Sequence, residues 1–148
     1  MSVLVDDSIT IYEALQYIKD GKYVMPAFQR QYVWSMEQVE KLWDSILLDY
    51  PIATFLFWHV DDDNVTWDTY FCNFLHEATF DSRKQADSLN YELSNINVAL
   101  SDTAILDGQQ RLTSLFLSLF GNAFIRQKHA RKKNGGGIVT KLLIELNK

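Results

Sequence analysis

The sequence predicts an α+β fold, a small mixed sheet flanked by three or four helices, and three observations lead there. Apolar residues recur at three- and four-residue intervals in separate stretches, the pattern of helices packed by one face on a core. Between those stretches lie apolar runs too short for helices, which read as strands. Among 148 residues, 47% are hydrophobic and 14% aromatic, enough for a core and too many for a disordered chain. The length fits one domain, residues 1–148.

The elements follow in order. Thr10 and Glu13 fit a capping box, and Ile11, Leu15 and Ile18 share a face of the helix it opens. Gly21 closes that helix as the residue just past its end. Residues 22–25 read as a strand stopped by Pro26, which cannot donate to a ladder. Residues 28–34 mix Phe28, Tyr32 and Trp34 with Gln29, Arg30 and Gln31. Two readings stand: a segment lining a pocket, or a surface loop anchored by its aromatics with Arg30 solvated. Ser35 and Gln38 repeat the capping box, and Val39, Leu42, Trp43, Ile46, Leu47 and Tyr50 form the cleanest helical stripe, ending before Pro51. Residues 54–60 read as a buried strand, with His59 a structural residue at its end. Asp61, Asp62 and Asp63 make a solvated acidic turn, since no Gly or Glu follows at calcium-loop spacing.

Trp67, Tyr70, Phe71, Phe74 and Leu75 mark a further helical stripe, and the polar residues 79–90 read as a loop. Weak alternation over 91–100 suggests a strand that turns at Ser101 and Asp102 into another, 103–106. A helix follows, its stripe Leu112, Leu115, Phe116, Leu119 and Phe120, interrupted at Gly121 and Asn122. Residues 126–133 are strongly basic, a solvated face or a contact for nucleic-acid phosphates. Gly135, Gly136 and Gly137 connect to a last strand in which Ile138, Thr140, Leu142, Ile144 and Leu146 alternate.

Charge and cysteine usage exclude several classes. Fourteen basic against nineteen acidic residues give a net charge of -5, which argues against a general grip on DNA by this chain alone. The single cysteine, Cys72, rules out an internal disulfide and reads as a buried, inert thiol. The longest apolar run, 55–58, is far short of the roughly 20 residues a membrane helix needs. No leader pattern opens the chain, so no membrane association and a cytoplasmic location are expected.

The chain is organised around the junction at 105–115, where Ile105 and Leu106 run into Asp107, Gly108, Gln109, Gln110 and Arg111 before the helix begins its apolar stripe. Unpaired N–H groups and the positive dipole end gather at such a turn, and Arg111 adds a forked cation suited to phosphate or carboxylate. The competing structural reading has Asp107 capping the helix, Gly108 allowing the turn and Arg111 pairing with a surface acid.

Three stretches together carry a family resemblance. The pattern Pro26-x-Phe28-Gln29-Arg30-x-Tyr32-x-Trp34, then Tyr50-Pro51-Ile52, then Leu106-Asp107-Gly108-Gln109-Gln110-Arg111-Leu112-Thr113 closely resembles the N-terminal domain of GmrSD-type restriction endonucleases. That large bacterial family is related to the ParB and sulfiredoxin fold. The likeness covers most of 8–60 and 103–120 and leaves 61–102 as an unassigned insertion. One departure is Ala53, where the family usually has Gly, which touches local backbone geometry only.

The resemblance implies a ParB/sulfiredoxin-like domain that binds and hydrolyses a nucleoside triphosphate, ATP, GTP or CTP, with Mg²⁺. Carried over residue by residue, Gly108 would let the backbone approach the phosphates, and Arg111 and Arg30, with Gln29 in the same pocket, would clamp them. Gln109 or Gln110 would orient a phosphate or a water. Asp107 would hold Mg²⁺, activate that water or cap the helix. Sulfiredoxin's cysteine is replaced here by Gln, so its chemistry is not expected. The implied setting is a regulatory domain of a modification-dependent restriction or anti-phage protein. Its C-terminal HNH-type nuclease region would lie outside this chain, with DNA contacted through the full-length protein. The alternative is a DNA-binding or directly nucleolytic ParB-like domain.

Overall fold

The computed structural model describes residues 9–28, 31–60, 71–75, 77–81, 84–87, 102–126 and 137–140. Among them are three helices, α1 (Ile11–Lys19), α2 (Met36–Leu47) and α3 (Gln109–Leu119). Eight strands accompany them: β1 (Tyr23–Pro26), β2 (Leu56–His59), β3 (Phe71–Cys72), β4 (Glu77–Asp81), β5 (Lys84–Asp87), β6 (Thr103–Asp107), β7 (Asn122–Arg126) and β8 (Gly137–Thr140). The α+β expectation of mixed sheet and flanking helices holds, and the strands form two sheets of four rather than one.

The first sheet has the order β2-β6-β1-β3. β6 runs parallel to β1, while β2 pairs antiparallel with β6 and β3 antiparallel with β1. Alternation along the strands divides the sheet into two faces. Met25, Cys72 and Ile105 join Leu15, Ile18, Leu42, Leu112, Leu115 and Phe116 in the main core, with Tyr23 and Phe57 packed against it. Val24, Ala104 and Phe71 form a small cluster of their own, as expected for the opposite face. The second sheet, β5-β4-β7-β8, is built on the parallel pair β4 and β7. Its Ala78 and Phe80 pack with Tyr32, Val39 and Leu117.

α3 is the spine between these clusters. Leu112, Leu115 and Phe116 serve the first and Leu117 the second, and Thr113 and Ser114 are also buried. A helix apolar on one side alone would not contact both.

The helix ends were legible. Thr10 and Ser35 each close a reciprocal capping box, with Glu13 and Gln38. Gly21, at φ +74, ends α1 as the Lys22 amide donates to the Tyr17 carbonyl and the Gly21 amide to that of Ile18, a Schellman motif. Asp49, at φ 58, does the same for α2, its amide and that of Tyr50 donating to Ile46 and Ser45.

Five expectations need correction. The stripe from Trp67 to Leu75 is not helical at its end, because Phe71 and Cys72 form β3 on the edge of β1; residues 61–70 lie outside the described part. The loop expected over 79–90 contains most of β4 and all of β5. Ala78 and Phe80 alone carry the inward face of β4, too little apolar alternation to see in a polar stretch. β2 is not buried: at the sheet edge it leaves Leu56 and Trp58 exposed. A hairpin from 91–100 into β6 is displaced because β6 has β2 on one side and β1 on the other, while 91–101 themselves lie outside the described residues. Phe28, finally, anchors nothing at 80% exposure, whereas Tyr32 is fully buried.

Candidate functional site

The site is built where β6 ends beside the start of β2. Leu56 pairs with Asp107 and Phe57 with Ile105, so the ladder skips Leu106 in a bulge that re-aims the strand ends. Gly108 then turns the chain into α3 with φ 84 and ψ 8, and no side chain caps the helix. The left-handed conformation is one reason for glycine here. The second is contact: a Cβ on Gly108 would lie 2.3 Å from Cδ1 of Phe55. The ring of Phe55 therefore rests directly on the glycine for which the family resemblance implies a close approach to phosphates.

Arg111 reaches back to the segment before β2. Its Nη1 donates to the Ile52 carbonyl at 2.5 Å and its Nη2 to the Thr54 carbonyl at 2.8 Å. Its guanidinium carbon stands 4.7 Å from the centre of the Phe55 ring. Between the two carbonyls lies Ala53, a non-glycine residue at φ 68. That left-handed twist lets carbonyls two residues apart converge on one cation. Asp107 Oδ2 is 3.8 Å from Nη2, and the carboxylate side chain is 68% exposed against 16% for Arg111. The guanidinium charge thus faces neutral carbonyls, an aromatic face and a solvated carboxylate.

The two glutamines of the motif point elsewhere. Gln109 is buried, its amide donating to the Ile105 carbonyl at 2.6 Å. Gln110 accepts from the Val33 amide and donates to the Gln31 carbonyl, both at 3.0 Å, like a strand partner for that short segment. One turn on, Ser114 donates to the Gln110 carbonyl at 2.7 Å. With its own proton so used, Ser114 Oγ accepts from the buried Tyr32 hydroxyl at 2.9 Å. Trp43 Nε1 donates to Ser118 Oγ at 3.0 Å, and Ser118 donates to the Ser114 carbonyl at 2.7 Å. Segment 31–34 is therefore fastened along α3, and among the described residues no buried side-chain polar atom lacks a partner.

Of the residues nominated from sequence, Asp107, Gly108, Gln109, Gln110 and Arg111 lie at this turn, while Gln29 and Arg30 fall outside the described residues. Gln31, the next residue after Arg30, is held at the first turn of α3. The metal nomination, Asp107, contributes a single exposed carboxylate, and among the described residues no group of three His, Cys, Asp or Glu side chains gathers to hold an ion. His59 Nδ1 lies 3.4 Å from Thr103 Oγ1, across the β2–β6 pair. Of the basic run, Arg126 ends β7 and residues 127–133 lie outside the described part. Sequence reasoning missed Phe55, Ile52 and Thr54, although the unusual Ala53 hinted at a left-handed position between the two carbonyls.

The fold and this junction define a mixed α+β domain centred on a strand–glycine–helix turn whose arginine grips a second chain segment. The chain belongs to the GmrSD restriction endonuclease, N-terminal domain family, matching it over residues 11–146. It is also 30% identical over 118 residues to an uncharacterized protein of Methanocaldococcus jannaschii, a match covering 80% of this chain and 18% of that relative. The chain therefore spans less than a fifth of the length of that relative. Among the described residues, no helix is long and apolar enough to cross a membrane.

Proposed function

We propose that this domain binds a nucleoside triphosphate with Mg²⁺ at the β6–α3 turn and hydrolyses it, as the regulatory part of a restriction or anti-phage protein that acts on DNA. The observation that carries the reading is the charge arrangement. The Arg111 guanidinium and a helix start without a side-chain cap stand together beside an exposed Asp107. The two carbonyls satisfy the geometry of the guanidinium without carrying charge, and Asp107 at 3.8 Å is solvent-exposed and offsets the charge only in part, so the turn keeps an attraction for phosphate.

In this reading Arg111 and Arg30 draw the phosphates, with Gln29 beside them. Asp107 is the one carboxylate of the turn, which suits an ion that keeps several waters and takes its other ligands from phosphate oxygens. When bound, Mg²⁺ neutralises phosphate charge and orients the reacting group. The polypeptide supplies positioning: Gln109 ties the first turn of α3 to β6, and Gln110 ties it to 31–33, directly after Arg30. A relation to the ParB and sulfiredoxin fold is part of the same proposal.

Titration of the protein with ATP, GTP and CTP, with and without Mg²⁺, tests the reading. A charged hydrogen bond is worth about 1.5–3 kcal/mol, so Arg111→Ala is expected to weaken binding roughly ten- to a hundredfold. Unchanged affinity in a folded variant refutes the assignment. A salt-dependent DNA affinity that survives Arg111→Ala and is lost on neutralising 126–133 supports a DNA-binding or nucleolytic domain instead.

A further inference from the structure

Phe55 lies on the glycine at the head of α3, and Arg111 holds it there. Two guanidinium donors are spent on the carbonyls of Ile52 and Thr54, and the face of the group is stacked on the ring. The ring is tied into an aromatic row, with Phe57 at 6.4 Å and Tyr23 next along at 5.4 Å from Phe57. Working against closure, Ala53 is held at φ 68, a conformation that costs an L-residue free energy.

We propose that residues 50–55 form a latch over the β6–α3 turn, closed by Arg111 and opened when a triphosphate recruits that guanidinium. The identity of the ligand rests on the nucleotide reading above; the latch rests on the packing. Phosphate is a stronger partner for a guanidinium than a neutral carbonyl. Release of the segment also relieves Ala53, so part of the opening free energy is already stored in the closed form. A ligand shifts such an equilibrium only through differential affinity, and here the differential partner is Arg111 itself. Apparent affinity is then reduced by the fraction of molecules that are closed.

The α-protons of Gly108 report the latch, because the Phe55 ring beside them shifts their NMR resonance. Mg-ATP and inorganic tripolyphosphate are titrated into the wild type, Phe55→Ala and Ala53→Gly. Both ligands are expected to move the Gly108 resonance of the wild type toward its position in Phe55→Ala, which marks the open form. Phe55→Ala is expected to bind at least about threefold more tightly than wild type. Ala53→Gly, which removes the strain from the closed form, is expected to bind more weakly, and it remains informative if Phe55→Ala does not fold. Mg-ATP binding with the Gly108 shift intact, or with wild-type affinity in Ala53→Gly, overturns the latch and leaves the nucleotide reading standing. Tripolyphosphate opening the latch while no nucleotide binds overturns the nucleotide reading and supports the latch. No response to either anion overturns both.

Discussion

The guanidinium of Arg111 and the ring of Phe55 are stacked, 4.7 Å from carbon to ring centre, and the same ring occupies the space that any side chain at position 108 would need. One arginine and one aromatic residue thereby couple the head of α3 to the segment entering β2. A residue read from sequence as an anion ligand is also the fastening of a turn.

Arg111→Ala is therefore expected to cost stability as well as affinity. Two charge-assisted hydrogen bonds disappear and two carbonyls lose a donor, so about 2–3 kcal/mol is expected. Arg111→Lys keeps the charge but not the fork that spans Ile52 and Thr54, and is expected to recover less than half. Urea denaturation of the three proteins decides this, and equal midpoints for wild type and Arg111→Ala would show that the fastening contributes nothing.

Gly108→Ala meets two obstacles at once. Backbone at φ +84 resists a Cβ, and that Cβ would fall 2.3 Å from the Phe55 ring, for a combined loss of about 2–4 kcal/mol. Because the clash involves one named partner, the double variant Gly108→Ala/Phe55→Ala is expected to lose less than the sum of the single losses. Strict additivity in a double-mutant cycle would contradict the contact.

Gln110→Ala removes both bonds to 31–33, leaving the Val33 amide and the Gln31 carbonyl without that partner. The expected loss is about 1–2 kcal/mol. Gln110→Glu still accepts from Val33 but cannot donate to Gln31, so it should fall between. Amide exchange at Val33 is the direct readout: protection unchanged in Gln110→Ala would remove the clamp from the account.

Burial pushes the Cys72 thiol up to about 11 from its ordinary value near 9. The folded pKa is raised, so the neutral thiol supports the fold fully below about pH 9, and that contribution is lost as pH rises toward 11. Cys72→Ala should flatten this alkaline loss of stability between those values. A thiol reagent at pH 8 should label native Cys72 far more slowly than the urea-unfolded chain; comparable rates would mean the thiol is accessible.

Local chemistry made much of the fold legible. The capping boxes at Thr10 and Ser35 and the left-handed Gly21 each involve groups within a few residues of one another, and each was readable without the rest of the molecule. The junction at Gly108 was readable for the same reason. Phe71 and Cys72 were not, because a two-residue strand carries no period and exists only through its pairing with Met25 and Pro26. β4 likewise draws its order from a parallel partner, β7, more than forty positions away, and β5 then pairs on the other edge of β4.

The sequence by itself determined the three helices α1, α2 and α3, the capping boxes at Thr10 and Ser35, the turn at Gly108 and the family to which the chain belongs. Tertiary structure decided what the charged and amide groups of that turn hold: Arg111 reaches carbonyls 57 and 59 positions away, and Gln110 reaches a carbonyl 79 away and an amide 77 away. The physical reason is range. Helix propensity and capping act between neighbours in the chain, whereas a guanidinium or an amide takes whichever partner the folded core brings within about 3 Å, and no pattern along the sequence names it.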